Sequence, residues 1–265
     1  MERKVITILV VLTTFVFANE GVSLLAWSGA REGSLYILFT ASNRLFWLAL
    51  VPVTALLLLY PARDLLAECG LSGDFKAATK IAAIATLPML LGYGFAASFQ
   101  LSLSLDSILL GAVVAAIAEE IYFRGFLFGQ LYRRVGLWFV IAAGSSAILF
   151  GVAHLYQGEG LIETAGIFAV TLIGGLWFSW LYMRWNFNLW VPINFHLLMN
   201  LYWSSFEVGN NALGGLEANI YRIITIGLSI WLTLRWTRTP ATVEAFIEQP
   251  VPRIQELELR VPEER

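Results

Sequence analysis

Long apolar runs dominate this chain and limit the folds that are open to it. About eight runs of roughly 17–25 mainly apolar residues follow one another, and a helix of that length crosses the hydrocarbon core of a bilayer. Because lipid offers no hydrogen-bond partner to backbone N–H and C=O groups, such runs must be helical. The sequence therefore predicts an all-α, polytopic membrane protein with about eight transmembrane helices. The predicted spans are Val5–Trp27, Tyr36–Tyr60, Ile81–Phe99, Ser107–Arg134, Leu137–Tyr156, Ile162–Met183, Leu189–Phe206 and Ile220–Trp236.

The composition fits a membrane protein and excludes several other classes. Hydrophobic residues make up 58% of the chain and charged residues 14%, whereas a soluble domain has about 25% charged residues. The mean hydropathy is +0.71. A net charge of -2 argues against a nucleic-acid partner. Cys69 is the single cysteine, which excludes a disulfide framework and a cysteine-rich metal site.

The distribution of basic residues predicts the orientation in the membrane. Lysine and arginine are concentrated before the first run and in alternate loops, which is typical of cytoplasmic segments. Both termini are therefore expected in the cytoplasm. Residues 1–236 are predicted to form one integral membrane domain with a functional core at about 107–206, and the polar, proline-containing segment 237–265 is predicted to be a cytoplasmic tail.

An acidic motif interrupts one of the most apolar parts of the chain. Glu119 and Glu120 are adjacent, and Arg124 follows four residues after Glu120. An ionised side chain at the centre of a membrane helix costs at least about 2.5–3.5 kcal/mol, so it seldom persists there without a partner or a task. In a helix, Glu120 and Arg124 share a face and can pair. Glu119 points elsewhere and stays available as a base.

Both histidines of the chain also belong to apolar spans. His154 lies at the end of the fifth span, and His196 lies in the seventh with Asn200 four residues later on the same helical face. A lone histidine in an apolar helix is often only a hydrogen-bonded core residue. Six polar side chains in three spans indicate a shared buried site, although they could also simply tie the helices together.

The three motifs together resemble a known family. In order along the chain they are Glu119-Glu120-x-x-x-Arg124, Phe150-x-x-x-His154 and His196-x-x-x-Asn200. This pattern is similar to that of the CAAX protease and bacteriocin-processing family of intramembrane proteases, also called the CPBP or ABI family. The similarity covers the three motifs, from Ala118 to Asn200.

The resemblance implies an enzyme that hydrolyses a peptide bond of a membrane-anchored protein or peptide, without an acyl-enzyme intermediate. It implies that Glu119 is the base and that His154 helps to hold the attacking water. His196 and Asn200 would donate to the oxyanion. Glu120 and Arg124 would form a structural pair that orients the acidic helix. The resemblance also implies two partners, namely a membrane-anchored protein or peptide as substrate and the lipid bilayer.

The residues alone do not decide whether the site binds a metal ion. Two histidines and a glutamate form a common zinc set, but the chain lacks His-Glu-x-x-His, which places two zinc ligands on one helix. The resemblance to an archaeal prenyl-protein protease of the family favours a glutamate mechanism with no cofactor, and zinc is not excluded.

Two other functions compete with the protease. The buried Glu, His and Arg side chains could form a proton or ion relay in a transporter or channel, although the chain shows no pair of corresponding halves. A non-catalytic membrane scaffold would also retain buried polar residues. The motif match favours the protease.

Four expectations concern single positions or short stretches. Arg44, near the start of its span, is predicted to extend to the membrane interface. Pro88 is predicted to kink the third span. Asp106 is predicted to cap the motif helix, and the small residues Gly144, Ser145 and Ser146 are predicted to let two helices approach.

Overall fold

The computed structural model describes residues 2–25, 33–102 and 104–237, and all regular structure in them is helical. Nine main helices make up this part of the chain: α1 (Glu2–Leu24), α2 (Gly33–Leu58), α3 (Phe75–Ala85), α4 (Leu87–Ala96), α5 (105–135), α6 (Phe139–Val152), α7 (Leu161–Arg184), α8 (Trp190–Ser205) and α9 (Leu216–Trp236). Short helical turns occur at Ala62–Asp64, Leu65–Glu68 and Leu155–Gln157. The predicted all-α class is confirmed. The predicted tail 237–265 lies outside the described residues, apart from Thr237.

The predicted number of eight spans is not confirmed. Each predicted apolar run overlaps one helix, except the third run, which overlaps parts of both α3 and α4. Among the described residues, however, only α1, α2, Phe139–Gln157 and α7 are long and apolar enough to cross a membrane, and α3 with α4 would make a fifth span. A helix such as α8, with 16 residues, is shorter than the roughly 20 residues that span a bilayer. The protein is an integral membrane protein in which some apolar helices are shorter than full spans.

The third predicted span is bent, as Pro88 indicated. The chain turns by 41° between α3 and α4. Pro88 lies in the first turn of α4, where its missing N–H and its ring interrupt a continuous helix. The helical segment also begins earlier than the predicted Ile81, because the Asp74 side chain accepts a hydrogen bond from the Ala77 N–H at 3.0 Å and caps α3.

Helix α5 lies in the centre of the bundle. Every residue from Glu120 to Leu131 is buried, so this part of α5 has no lipid-facing side. Its segments Ser107–Val114, Ile121–Phe128 and Leu131–Val135 have π-helical geometry, and Ala115–Glu120 is an α-helix. The predicted continuous helix over 107–134 is confirmed. Turns of π-helix are frequent at functional sites.

Of the two expectations about α5 and α6, the one for Asp106 is wrong, and the one for Gly144, Ser145 and Ser146 is confirmed only at Ser146. The Asp106 side chain makes no capping hydrogen bond, because Asp106 is already helical. Ser104 Oγ instead accepts from the Ser107 N–H at 3.3 Å. Gly144 faces open space, since a methyl group added there would have no neighbouring atom within 4 Å. The close contact is made by Ser146, which donates to the Phe123 carbonyl at 2.8 Å and joins α6 to α5.

The end of α5 is anchored by polar contacts. The helix ends at Gly136, which has a left-handed φ of 80°. Arg134 Nε donates to Glu68 Oε2 at 2.9 Å, and Arg133 donates to the Glu68 carbonyl at 3.0 Å. These pairs place the start of the segment from Glu68 to Asp74 against α5. The arrangement holds one end of the motif helix in a defined position.

Candidate active site

A buried ion pair organises the acidic part of α5. Arg124 Nη1 lies 3.0 Å from Glu120 Oε1, and both side chains are 0% exposed. The predicted i,i+4 pairing is therefore confirmed. Glu120 Oε2 and Arg124 Nη2 have no hydrogen-bond partner among the described residues. The pair has no contact with solvent, so removal of either side chain alone would leave the other charge buried without its partner, at a large cost.

Aromatic rings surround the Arg124 guanidinium. Its Cζ lies 4.4 Å from the ring centre of Phe150 on α6 and 5.4 Å from that of Phe178 on α7. Such cation–π contacts stabilise a charge that is removed from water. Gly175 on α7 leaves the room for this arrangement, because a methyl group there would lie 3.4 Å from Arg124 Nη2 and 3.0 Å from Ala147. Arg124 therefore joins three helices.

His196 on α8 connects the two glutamates. Its Nδ1 lies 2.8 Å from Glu120 Oε1, and its Nε2 lies 3.9 Å from Glu119 Oε2. Because a carboxylate oxygen accepts, the Nδ1 atom carries a proton in this contact. The sequence placed His196 beside Asn200 and indicated a site shared with the acidic motif, but it did not show which glutamate His196 would contact. The link makes His196 part of the acidic cluster.

Glu119 differs from Glu120 in its surroundings. Its side chain is 22% exposed, and Glu119 lines a large cavity. Its Oε2 atom has no hydrogen-bond partner among the described residues. The two adjacent carboxylates thus have different environments, one closed by an ion pair and one facing open space.

His154 and Asn200 line the same cavity. His154 follows the end of α6, and its Nδ1 lies 2.8 Å from the Phe150 carbonyl oxygen. Because a carbonyl only accepts, Nδ1 carries the proton and Nε2 of the neutral ring is an acceptor. Asn200 Nδ2 donates to the Gly111 carbonyl at 2.8 Å. One of its two amide hydrogens is used there, and the other is free to donate.

The cavity has a volume of about 790 Å³, which is within the range of small-molecule and peptide sites. Four of the six predicted side chains line it, namely Glu119, His154, His196 and Asn200. Glu120 and Arg124 lie behind this surface. A carboxylate, two imidazoles and an amide that line one cavity can carry out acid–base chemistry on a bound polar group.

The comparison with family profiles decides the relationship. Residues 100–202 match the family "Type II CAAX prenyl endopeptidase Rce1-like". This segment, about two fifths of the chain, is similar to that family. The resemblance drawn from the three motifs is thereby confirmed, and all six predicted side chains lie within the Rce1-like segment.

A curated relative agrees with this relationship. The Bacillus subtilis (strain 168) protein "Putative membrane peptidase YdiL" is 36% identical over 95 residues, which are 36% of this chain and 34% of that protein. The similarity therefore covers about a third of the relative's length. No solved structure matches the chain significantly.

Two arginines that line the cavity lie outside the Rce1-like segment. Arg44 on α2 is half-buried, and its Nη1 lies 3.5 Å from the Leu110 carbonyl oxygen. The expectation that Arg44 extends to the membrane interface is therefore wrong, because the packing of α2 against α5 turns it inward. Arg222 on α9 was not identified from the sequence. The available signal was the presence of each charge inside an apolar run, which marks a functional position by default.

The side chains of the site do not fit a zinc centre. Zinc needs at least three protein ligands that converge on one point. Among residues 2–25, 33–102 and 104–237, no three His, Cys, Asp or Glu side chains are grouped so that they could hold a metal ion. Glu120 and His196 instead contact each other. That the reaction uses no cofactor stays a prediction.

Proposed function

We propose that this protein is an intramembrane endopeptidase that hydrolyses a peptide bond of a membrane-associated protein or peptide, with a water activated by Glu119. One observation carries the proposal. The Glu119 side chain lines the cavity and is 22% exposed, whereas the adjacent Glu120 is fully buried and engaged by Arg124 and His196. The match to the Rce1-like family supports the same reaction class.

The first step is the activation of water. Glu119 takes a proton from the water, and the oxygen of that water attacks the carbonyl carbon of the scissile bond. His154 accepts a second hydrogen bond from the water through Nε2, because its Nδ1 is held by the Phe150 carbonyl. Peptide hydrolysis then ends when the proton on Glu119 is passed to the leaving amine nitrogen and the C–N bond breaks.

The negative oxygen formed by this attack needs donors. Asn200 supplies its free amide hydrogen from α8. His196 Nε2 can donate only when the ring carries both protons, and Glu120 next to Nδ1 is the negative partner that a charged ring requires. We therefore assign both side chains to the oxyanion, and we assign Glu120 and Arg124 to holding His196 and Glu119 in place.

The test is cleavage of a panel of membrane-anchored peptides by purified protein in detergent. We expect Glu119→Gln to reduce the turnover by about 10²–10⁴-fold, the range for loss of a general base. Glu159→Gln, an exposed glutamate outside the cavity, is the matched control and should keep full activity. A fully active Glu119→Gln protein would exclude Glu119 as the base.

A strong chelator separates the glutamate mechanism from a metal mechanism. Cleavage that survives the chelator and is lost in Glu119→Gln supports the proposal. Loss on chelation with rescue by zinc would assign ligand roles to the same residues. If no peptide is cleaved while reconstituted vesicles show proton flux that depends on Glu119, the transporter alternative replaces the protease.

We also propose that both termini and the polar segment 237–265 lie in the cytoplasm, on the strength of the alternating basic loops. Reporter fusions to the two termini test this orientation. A reporter that is active only outside the cytoplasm, at either terminus, would contradict it.

A further inference from the structure

The ends of α7 and α9 and the start of α3 meet at the face of the bundle that carries the loop between α7 and α8. Trp185 Nε1 donates to Thr233 Oγ1 in the last turn of α9 at 3.1 Å. The start of α3 is held at the same face, because Asn188 Nδ2 donates to the Asp74 carbonyl at 2.9 Å. Since α7 is long and apolar enough to cross a membrane, its end at Arg184 lies near a membrane surface.

Basic side chains converge at these helix ends. Arg184 Nη2 donates to Thr237 Oγ1 at 3.3 Å, and Lys80 Nζ lies 5.6 Å from the ring centre of Trp236. Because Trp236 and Thr237 are adjacent, Arg184 on α7 and Lys80 on α3 reach the same end of α9. Lys76, one turn earlier on α3, is exposed and adds positive charge nearby. We call Lys80 and Arg184, with Trp236 beside them, the basic cluster.

Within the described ranges, the basic cluster has no acidic partner. No Asp or Glu side chain of the described residues lies within 4.0 Å of Lys80 or Arg184. Asp74, at the start of α3, instead accepts from the Ala77 N–H as the helix cap. The Arg184 guanidinium has five N–H donors, and its Nε has no hydrogen-bond partner among the described residues. The cluster therefore keeps a positive charge and donors that an anion can use.

A tryptophan fixes the level of the basic cluster in the membrane. Trp236 is 44% exposed, and tryptophan is enriched at the membrane–water interface, where lipid phosphates lie. The long stem of Lys80 lets its ammonium reach the same level while the stem covers apolar surface. None of Lys80, Arg184 and Trp236 lines the cavity of the candidate active site. The basic cluster is therefore a separate surface that faces the lipid headgroups.

We propose that the basic cluster binds the phosphate of an anionic phospholipid. Basic pockets between the ends of membrane helices suit anionic headgroups. The fork of Arg184 matches two phosphate oxygens, and the Lys80 ammonium supplies a second positive charge. A free phosphate ion has the same chemistry. The lipid is favoured because exposed apolar side chains near the end of α9, Trp231 and Leu234, offer a surface for acyl chains.

Native mass spectrometry of the full chain in a neutral detergent tests the proposal. The probes are phosphatidylglycerol and phosphatidylcholine with the same acyl chains, and the readout is the dissociation constant of each lipid. We expect phosphatidylglycerol to bind at least about 25-fold more tightly, since each of two basic residues near an anionic headgroup contributes about 5-fold. Arg184→Gln and Lys80→Gln should each weaken phosphatidylglycerol binding about 5-fold and leave phosphatidylcholine binding unchanged.

Two further variants separate the cluster from general effects of charge and folding. Arg63→Gln is the matched control, because it removes one positive charge between α2 and α3 from a side chain that is 84% exposed and outside the cluster. It should keep the full lipid preference. Arg184→Lys keeps the charge without the fork and should keep part of the preference. Lys80→Gln changes only an exposed side chain, so it decides the test if Arg184→Gln does not fold.

Several results would overturn the assignment. They are equal binding of the two lipids, an unchanged preference in the variants of Lys80 and Arg184, or an equal loss in Arg63→Gln. Displacement of phosphatidylglycerol by an equal concentration of inorganic phosphate would assign a free anion instead. Carbodiimide coupling of Lys80 to a glutamate of residues 238–265, with no lipid preference, would assign the basic cluster to that segment of the chain.

Discussion

His196 Nδ1 lies 2.8 Å from Glu120 Oε1, although the two residues are 76 positions apart in the chain. This hydrogen bond joins α8 to the central helix α5. It fixes which ring nitrogen carries the proton, and it directs Nε2 toward Glu119. The buried pair of Glu120 and Arg124 is therefore more than a link within one helix. It orients the imidazole that faces the cavity.

The loss of Arg124 should affect both folding and activity. Arg124→Ala would leave Glu120 buried without its cation, and such changes cost about 3–5 kcal/mol. We expect a lower melting temperature in detergent together with a loss of cleavage. Glu119→Gln, which removes no ion pair with an arginine or lysine, should melt close to the wild type. Equal melting of Arg124→Ala and the wild type would contradict the structural role of the pair.

A second change separates the two effects of Arg124. The double variant Glu120→Gln, Arg124→Ala removes the unpaired charge, so it should recover part of the stability that Arg124→Ala loses. It should not recover activity, because a neutral amide at this position is not the negative partner that His196 needs in the proposed mechanism. Thermal melting and peptide cleavage of the same preparations check both parts.

Asn200 offers a test of the oxyanion assignment. Asn200→Ala should lower kcat by about 10²–10³-fold with little change in KM, because the interaction exists only in the transition state. The matched control is Asn194→Ala on the same helix. Asn194 Nδ2 also donates to a backbone carbonyl, that of Trp190 at 2.7 Å, but Asn194 does not line the cavity. Equal losses in the two variants would indicate a structural role for Asn200.

Gly125, which directly follows Arg124, should tolerate no side chain. A methyl group there would lie 2.9 Å from the Cys69 carbonyl oxygen, a backbone atom that cannot move aside easily. Gly125→Ala should destabilise the protein by about 1–3 kcal/mol. Gly144→Ala on α6 meets open space and should be neutral or slightly stabilising. Thermal melting of both variants compares them, and similar values would refute the close contact.

The Cys69 thiol should resist alkylation in the folded protein. Cys69 is 0% exposed, and burial, together with the negative charge of Glu68, raises its pKa to about 12. Only the thiolate is nucleophilic, and at pH 8 a thiol with this pKa is ionised to roughly 1 part in 10⁴. Raising the pH toward 12 should therefore increase the reaction rate.

Mass spectrometry after iodoacetamide treatment measures this reactivity. At pH 8 we expect no adduct on the folded protein and a complete adduct after denaturation in sodium dodecyl sulfate. Rapid modification of the folded protein at pH 8 would show that the segment from Glu68 to Asp74 leaves Cys69 open to the reagent.

Features that depend on local spacing could be predicted from the sequence. Runs of apolar residues identify helices because the bilayer leaves the backbone no other structure. The i,i+4 spacing places Glu120 opposite Arg124 and His196 beside Asn200, because a helix repeats every 3.6 residues. Pro88 marked the bend between α3 and α4 for an equally local reason.

Tertiary packing decided everything that joins residues distant in the chain. The contact of His196 with both glutamates, the inward position of Arg44, and the presence of Arg222 in the cavity all depend on how α2, α8 and α9 pack around α5. The number of full membrane spans depends on the same packing. Helical periodicity determines which side chains share a face, and only the arrangement of the helices determines what that face meets.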